Sequence, residues 1–220
     1  MISMGFGLPG SGKSLWLAYL ADRASKGKRL KVGNYDLQHI PGMTYDRIYT
    51  NFSFPDAYIF DWDTLGHCNY ENTLFLIDEV MMYADSRDFK TFDKYHKWFF
   101  SQARKMHVDV VITSQMYDDV DKKVRGIVEN FYYIQDSWIP GFSQVRPIES
   151  FFDIKDGQIR SGQQFSRLIN CSWFRRKPLY PKVNSYELIG MHPTDPPPDD
   201  RWDGLTPAEV ELKQSLAATV

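Results

Sequence analysis

The stretch "GLPGSGKS" at residues 7–14 decides the fold of this 220-residue chain. Residues 2–6, directly ahead of it, are apolar enough for a short buried strand. The segment "SLWLAYLADRAS" that follows, residues 14–25, has the apolar spacing of a helix, which ends near Gly27. Strand, glycine-rich loop and helix in this order predict an α/β unit whose loop turns at the edge of a sheet.

The three glycines of this stretch fit a loop that binds phosphate. Backbone N–H groups must turn inward around a β-phosphate, and a Cβ atom obstructs that path. In the pattern GxxxxGK[ST] the lysine reaches the β- and γ-oxygens and the hydroxyl ligates Mg²⁺. The alternative, a surface turn rich in Gly and Ser, leaves the flanking strand and helix unexplained. The predicted cofactors are ATP and Mg²⁺, and the predicted nucleotide-binding residues are Gly7, Gly10, Ser11, Gly12, Lys13 and Ser14.

Two carboxylates end the apolar run "TLFLIDEV" at residues 73–80. A buried strand delivers an aspartate to the metal in such proteins, so Asp78 is predicted to hold Mg²⁺ together with Ser14. The adjacent Glu79 can polarise the attacking water, and this favours hydrolysis over transfer to another acceptor. The alternative is a solvated acidic turn after a core strand.

Gln115 ends another apolar strand, "VDVVITSQ" at residues 108–115. A polar side chain there can contact the γ-phosphate or the lytic water. Thr113 and Ser114 are secondary candidates for this role. A plain polar residue at a strand end is the alternative.

Apolar strands and amphipathic helices alternate from residue 2 to about 135. This alternation predicts a mainly parallel sheet with helices on both faces, the α/β fold of a P-loop NTPase. Further strands are predicted at "LKVGNY" (30–35), "RIYTNFSF" (47–54) and "NFYYIQ" (130–135), and helices at 91–106 and about 118–128.

The second half of the chain differs in composition. Short β segments broken by Gly and Pro predict a β-rich extension at 137–190 on a core of 1–136, so that the ATPase domain comprises 1–190. Residues 191–205 are rich in Pro and Asp and predict a linker. The "TPAE" helix-start signature predicts a short final helix at 206–220.

Composition excludes several classes of protein. A net charge of −2 and a pI near 6.2 argue against a uniformly basic nucleic-acid binder, although a local patch remains an option. Cys68 and Cys171 lie far apart, so neither a zinc site nor a disulfide framework is predicted. The sequence has no signal-peptide pattern and no apolar run of about 18 residues, which predicts a soluble cytoplasmic protein.

The order of the motifs resembles the additional-strand, catalytic-glutamate group of P-loop ATPases. Within that group, "RIYTNF" (47–52), "LFLIDEV" (74–80), "SQARKMHVDVVITSQ" (101–115) and "DKKVRGIVE" (121–129) resemble the zonula occludens toxin-like family. This family comprises assembly ATPases of filamentous phages and is related to the HerA/FtsK DNA translocases. The resemblance covers about residues 2–135.

The resemblance implies roles for individual residues. Asp78 and Glu79 would form the Walker B pair and Gln115 would act as the sensor. Asn51 falls on another recurring position, as do three arginines that are candidates for completing a neighbouring subunit's site in a ring. Each arginine alone has the alternative of an ordinary surface or salt-bridged residue. The predicted catalytic residues are therefore Lys13, Glu79, Gln115, Arg87, Arg104 and Arg125.

The chain departs from the family pattern in two places. The family has Arg-His ahead of Gly-hydrophobic-Asp, whereas this chain reads Arg104-Lys105 and has His107 two residues later. Family members generally continue into a transmembrane helix and a periplasmic part, and these 220 residues contain neither. This favours a soluble relative that packages a genome.

The segment "RLINCSWFRRKPLYPK" at residues 167–182 interleaves basic and aromatic side chains, as a DNA-binding surface does. An ordinary β-hairpin is the alternative, and "KKVR" at 122–125 could instead face a pore. The predicted function is an ATP-hydrolysing motor that translocates DNA, single-stranded in preference to double-stranded, during virion assembly or genome packaging.

The expected partners are other copies of the chain in a ring, phage coat or capsid proteins, and a protein that links it indirectly to the membrane. The expected location is the host cytoplasm, with recruitment to the inner membrane or a procapsid. The rival functions are a non-motor nucleotide switch, a small-molecule kinase, and a module that uses ATP only to set its assembly state. The chain has no NKxD sequence for guanine, and the acid pair favours water over a kinase acceptor.

Overall fold

The computed structural model describes part of the chain in detail. Several predicted features lie outside the described residues: the linker, the final helix, Arg87, and the start of the helix predicted from 118. Among the described residues, no helix is long and apolar enough to cross a membrane. The described ranges are 1–67, 70–83, 94–116, 120, 122–155, 158–165 and 170–183.

Strands dominate the described ranges, with helices between them. In chain order the elements are β1 (Ile2–Phe6), α1 (Lys13–Ser25), β2 (Lys31–Val32), β3 (Tyr35–Asp36), β4 (Arg47–Thr50), β5 (Tyr58–Ile59), β6 (Thr73–Ile77), α2 (Lys94–Gln102), β7 (Asp109–Ser114), α3 (Lys122–Arg125), β8 (Asn130–Asp136), β9 (Phe142–Lys155), β10 (Gln158–Phe165) and β11 (Ser172–Arg175).

One sheet holds nine of these strands in the order β10-β9-β8-β1-β7-β6-β4-β5, and β11 also pairs with β9. The six neighbouring strands β8, β1, β7, β6, β4 and β5 pair in parallel. Strands β9, β10 and β11 pair antiparallel. Strand β7 lies between the strand that precedes the glycine-rich loop and the strand that ends at the acid pair. The predicted mainly parallel sheet is confirmed.

Both faces of the central sheet are buried. Successive side chains of a strand point to opposite faces, and in β6 Leu74 and Leu76 join the cluster that includes α1, while Phe75 and Ile77 join the cluster that includes α2. All four are fully buried. A strand buried on both sides reads as a continuous apolar run, which explains why "TLFLI" shows no alternation.

The β-rich extension continues the sheet beyond β8. The first half of β9 pairs with β8 on one side and with β11 on the other, and its second half pairs with β10. Phe174 of β11 packs in the same core cluster as α1, and Ser143 of β9 is fully buried. This arrangement brings the chain after residue 140 back to the glycine-rich loop.

Three predicted elements differ from the observed ones. The single strand predicted at 30–35 is wrong: β2 and β3 form a tight hairpin around Gly33, whose φ of 57° suits a turn. Of the helix predicted at about 118–128, the described residues are helical only in α3, because the chain turns after Arg125 to enter β8. The segment "FSRLINCSWF" (165–174) of the predicted extension is not one strand: Phe165 ends β10, Ser172–Phe174 belong to β11, and 166–169 lie outside the described residues.

Candidate nucleotide-binding site

Four strand ends bring the predicted site residues together. The glycine-rich loop follows β1, Asn51 follows β4, Asp78 follows β6 and Gln115 follows β7. Because these strands are parallel, all four ends lie at the carboxyl edge of the sheet, where ligands bind in open α/β folds. This edge also contains the start of α1, whose first turn offers free N–H groups.

The loop has the backbone that an anion cradle needs. Gly10 and Gly12 have φ values of 77° and 96°, in the left-handed region that favours glycine. A Cβ atom at Gly7 would lie 2.1 Å from the carbonyl oxygen of Ile134, and one at Gly12 would lie 2.5 Å from Ser143 Oγ. Close packing at Gly7 and Gly12, and positive φ at Gly10 and Gly12, thus require glycine in this loop.

Lys13 is the cation of the loop. Its side chain is buried, with 6% of its surface exposed, and its Nζ donates to the carbonyl oxygens of Gly7 at 3.1 Å and Leu8 at 3.4 Å. The same Nζ lies 3.7 Å from Glu79 Oε1. A cation inside the cradle and an acid at its rim are therefore within one phosphate diameter of each other.

Asp78 is buried and tightly held. The side-chain amide of Asn51 bonds both its N–H and its carbonyl oxygen, each at 2.7 Å. The hydroxyl of Thr113, one strand away, donates to Asp78 Oδ1 at 2.5 Å, and the N–H of Glu79 donates to the same oxygen at 3.1 Å. These bonds to charged oxygen fix the direction of the carboxylate.

Glu79 has the strained backbone and the shifted acidity of a functional residue. Its φ of 46° is left-handed, which is uncommon for a residue other than glycine. Burial raises the pKa of its carboxyl, and the neighbouring Asp78 charge raises it further, against the opposing effect of Lys13. Gln115 Nε2 lies 3.4 Å from Glu79 Oε1, so the predicted base and sensor side chains meet.

The residues present fit a magnesium triphosphate. Ser11 Oγ and Glu79 Oε2 are buried and have no hydrogen-bond partner within the described part of the chain. In those ranges no group of three His, Cys, Asp or Glu side chains could hold a metal ion by itself. Mg²⁺ keeps waters and binds through one or two protein ligands plus phosphate, and the Ser14 hydroxyl and the Asp78 carboxylate match that donor set.

The predicted arginines do not join this cluster. Arg104 is exposed and Arg125 is partly exposed, and each lies five residues ahead of the start of a parallel strand, β7 or β8. Both are therefore at the amino edge of the sheet, a strand length away from their own loop. Arg87 lies outside the described residues.

The predicted DNA-binding patch is only partly exposed. Phe174, an aromatic residue of the predicted segment, is 3% exposed and stacks on Tyr19 of α1, so it offers no face to a base; β11 alternates its side chains between core and solvent. Lys182 pairs with Asp22. Trp173 and Arg175 lie on the exposed face of β11, and Arg167 lies outside the described residues.

Two contacts with the loop were missed by sequence reasoning, which assigned Arg176 to the predicted DNA-binding segment. Arg176 Nη2 donates to the carbonyl oxygen of Ser11 at 3.3 Å, and Ser143 Oγ donates to the same oxygen at 3.0 Å. Arg176 lies 165 residues from Ser11 in the sequence, and Ser143 lies 132 residues from it. No local motif signals such a contact, since it depends on how β9 and β11 return to β1.

His107 lies at the opposite edge of the sheet. Its φ of 55° is left-handed. Its Nδ1 lies 2.9 Å from His39 Nε2, and His39 Nδ1 lies 3.1 Å from the buried Asp109 Oδ1. The imidazole contact at this position therefore belongs to the structure around Asp109, at the start of β7.

Similar proteins are known from sequence and structure. The family model described as Zonular occludens toxin (Zot) matches residues 1–156. The N-terminal domain of zonular occludens toxin from Neisseria meningitidis is 17% identical, with a TM-score of 0.46 over 84% of this chain and 98% of that chain. The genome packaging NTPase B204 from Sulfolobus turreted icosahedral virus 2, in complex with ATP-gammaS, is 8% identical, with a TM-score of 0.42 over 73% of this chain and 95% of that chain.

No curated protein matches the chain. The family match covers well over half of its length, and the resemblance predicted from the order of the motifs is confirmed. This chain belongs to the Zonular occludens toxin (Zot) family.

Proposed function

We propose that this protein is an ATP-hydrolysing motor of phage type that moves DNA during virion assembly or genome packaging. The observation that carries the proposal is the position of Glu79 beside Lys13, with Nζ and Oε1 3.7 Å apart at the rim of the glycine cradle. A carboxylate at that distance from the phosphate-binding lysine can orient a water toward a γ-phosphate. It can also take up the proton as the water attacks.

The raised pKa of Glu79 supports a role as a base. A carboxylate that is costly to keep ionised gains more by accepting a proton, and its buried Oε2 has no partner within the described ranges. In the proposed reaction the water oxygen bonds to the γ-phosphorus, the bond to the β–γ bridging oxygen breaks, and the products are ADP and phosphate. Gln115 would hold the water from the other side.

Mg²⁺ would supply charge neutralisation between the β- and γ-phosphates. We assign its protein ligands to the hydroxyl of Ser14 and the carboxylate of Asp78. The bonds from Thr113 and from the Glu79 N–H to Asp78 Oδ1 support this role, because they hold the carboxylate in one direction. No other acidic side chain would be needed.

In the proposed motor, neighbouring subunits share each active site, because a single P-loop domain leaves its own site open on one side. The proposed ring places Arg87, Arg104 or Arg125 of one subunit at the phosphates of the next. The amino-edge position of Arg104 and Arg125 supports a role in trans, because neither reaches its own loop. The exposed Trp173 and Lys177 are candidates for contact with DNA, which we propose to be single-stranded in preference to double-stranded.

The remaining parts of the proposal concern partners and place. Phage coat or capsid proteins would receive or supply the DNA, and a partner would link the motor indirectly to the inner membrane. The proposed location is the host cytoplasm.

Phosphate release from ATP, measured without DNA, with single-stranded DNA and with duplex DNA, tests the function. We expect hydrolysis in the wild type, stimulation by DNA, and loss of both in Lys13→Ala and Glu79→Gln. Hydrolysis that DNA leaves unchanged would favour a switch or an assembly module. Binding of ATP with transfer to a small acceptor, and no release of free phosphate, would favour a kinase.

A further inference from the structure

Arg176 approaches the glycine-rich loop from the side away from the acid pair. In the sheet, β6 with its acids lies two strands to one side of β1, and β8, β9 and β11 lie on the other side. Arg176 directly follows β11, and its own N–H donates to the carbonyl oxygen of Gly141 at 2.9 Å. The backbone of Arg176 is thus held beside Gly141 by this hydrogen bond.

The guanidinium contacts three groups around the loop. Nη2 donates to the Ser11 carbonyl oxygen at 3.3 Å and also to the Asp136 carboxylate, and Nε donates to Ser143 Oγ at 2.7 Å. Ser143 is fully buried, and its hydroxyl donates a hydrogen bond to the Ser11 carbonyl oxygen at 3.0 Å. One loop carbonyl therefore receives two donors, and one of them is charged.

The Ser11 carbonyl and the Gly12 N–H belong to the same peptide group. Gly12 has a φ of 96° and no side chain, so this peptide plane has little of its own to resist rotation. Donors at its oxygen hold the plane and draw electron density from it, and this makes the N–H at the other end a stronger donor. In the proposed function that N–H points at the β-phosphate.

We propose that Arg176, together with Ser143, is a positioning residue for the phosphate-binding loop and acts through the Ser11–Gly12 peptide. This rests on the proposed function, since the ligand is the polyphosphate of the nucleotide. Asp136 holds the guanidinium in place from the end of β8. The antiparallel extension thereby controls the affinity of the core site for phosphate.

The neighbouring Arg175 provides a matched control. It is exposed on β11, has the same charge, and stands one residue away. Binding of a non-hydrolysable ATP analogue with Mg²⁺, and separately of inorganic tripolyphosphate with Mg²⁺, would be measured by calorimetry for Arg176→Ala, Arg176→Lys and Arg175→Ala. The two ligands separate contacts to phosphate from contacts to the nucleoside.

We expect Arg176→Ala to weaken both ligands about tenfold or more, because a charge-assisted hydrogen bond at the loop is lost. Arg175→Ala should bind as the wild type does, and Arg176→Lys should recover part of the loss, since lysine keeps the charge without the fork. In steady-state assays the KM for ATP should rise in Arg176→Ala while kcat changes less than threefold. A residue that merely supports folding would lower the melting temperature without raising KM more than it lowers kcat.

Ser143→Ala keeps the test decisive if Arg176→Ala does not fold. It removes one hydroxyl from the same carbonyl and should weaken both ligands in the same direction, by a smaller factor. Wild-type affinity in both Arg176→Ala and Ser143→Ala, or an equal loss in Arg175→Ala, would overturn the inference and leave the ATPase proposal standing. A wild type that binds neither ligand would overturn both.

Discussion

The side-chain amide of Asn51 replaces a step of the sheet ladder for Asp78. Its Nδ2 donates to the Asp78 carbonyl oxygen and its Oδ1 accepts the Asp78 N–H, both at 2.7 Å. Strands β4 and β6 are neighbours, and their backbone pairing ends at Thr50 and Leu76. The Asn51 amide extends the pairing to Asp78, while the chain after Asn51 turns away. The position of Asp78 at the end of β6 is therefore fixed.

Asn51→Ala should therefore destabilise the protein and impair the site. Both peptide groups of Asp78 would be left buried without a partner, which costs about 1–3 kcal/mol for each group. We expect the free energy of unfolding in urea to fall by about 2–6 kcal/mol, and kcat for ATP to fall with it. Asn34→Ala is the control, because its amide makes an exposed bond to Asn170. Equal losses in the two variants would contradict the role of Asn51.

Sequence reasoning predicted the parts of the fold that local patterns encode. The strand before the loop, α1 and β6 are contiguous runs whose apolar spacing or length identifies them. The motif residues of the site are also local, because each follows its own strand directly. The bonds of Asn51, and the contacts of Arg176 and Ser143 with Ser11, depend on which strands become neighbours, and no run of adjacent residues contains that information.

Glu79→Gln should remove hydrolysis and keep nucleotide binding. Glutamine preserves the size of the side chain and its bond with Gln115, but it cannot accept a proton from water. We expect kcat to fall about 10²–10⁴-fold, with affinity for ATP unchanged or higher, because a negative charge near the γ-phosphate is removed. Single-turnover kinetics and equilibrium binding measure the two separately. Substantial turnover in Glu79→Gln would show that another group activates the water.

The raised pKa of Glu79 predicts an acidic limb in the pH profile of kcat. The carboxylate must be ionised to accept a proton, so activity should fall as the pH drops through a pKa above the ordinary glutamate value of 4.5. Magnesium and ATP are kept saturating at each pH. The residual activity of Glu79→Gln should lack this limb, and a limb that persists in the variant would assign it to another group.

The same pKa predicts that Glu79 lowers stability at neutral pH. A carboxyl whose pKa is higher in the folded state than in the unfolded state favours folding when protonated, and this contribution is lost as the pH rises through the folded pKa. Glu79→Gln should therefore melt at a higher temperature than the wild type at pH 7, and the difference should shrink on acidification. A lower melting temperature for the variant at pH 7 would contradict the burial cost assigned to Glu79.

A shared active site predicts that two inactive variants can restore activity when mixed. Lys13→Ala removes the loop cation, and Arg125→Ala, Arg104→Ala or Arg87→Ala removes a candidate contact to the neighbouring subunit. In an equal mixture about a quarter of the interfaces join an intact loop to an intact arginine, if subunits assemble at random into a closed ring. Phosphate release should therefore recover to about a quarter of the wild-type rate for the arginine that acts in trans. The control is a mixture of Lys13→Ala with Glu79→Gln, whose lesions lie 3.7 Å apart in one site and should give no recovery. If none of the three arginine variants restores activity with Lys13→Ala, each subunit completes its own site and the ring mechanism fails.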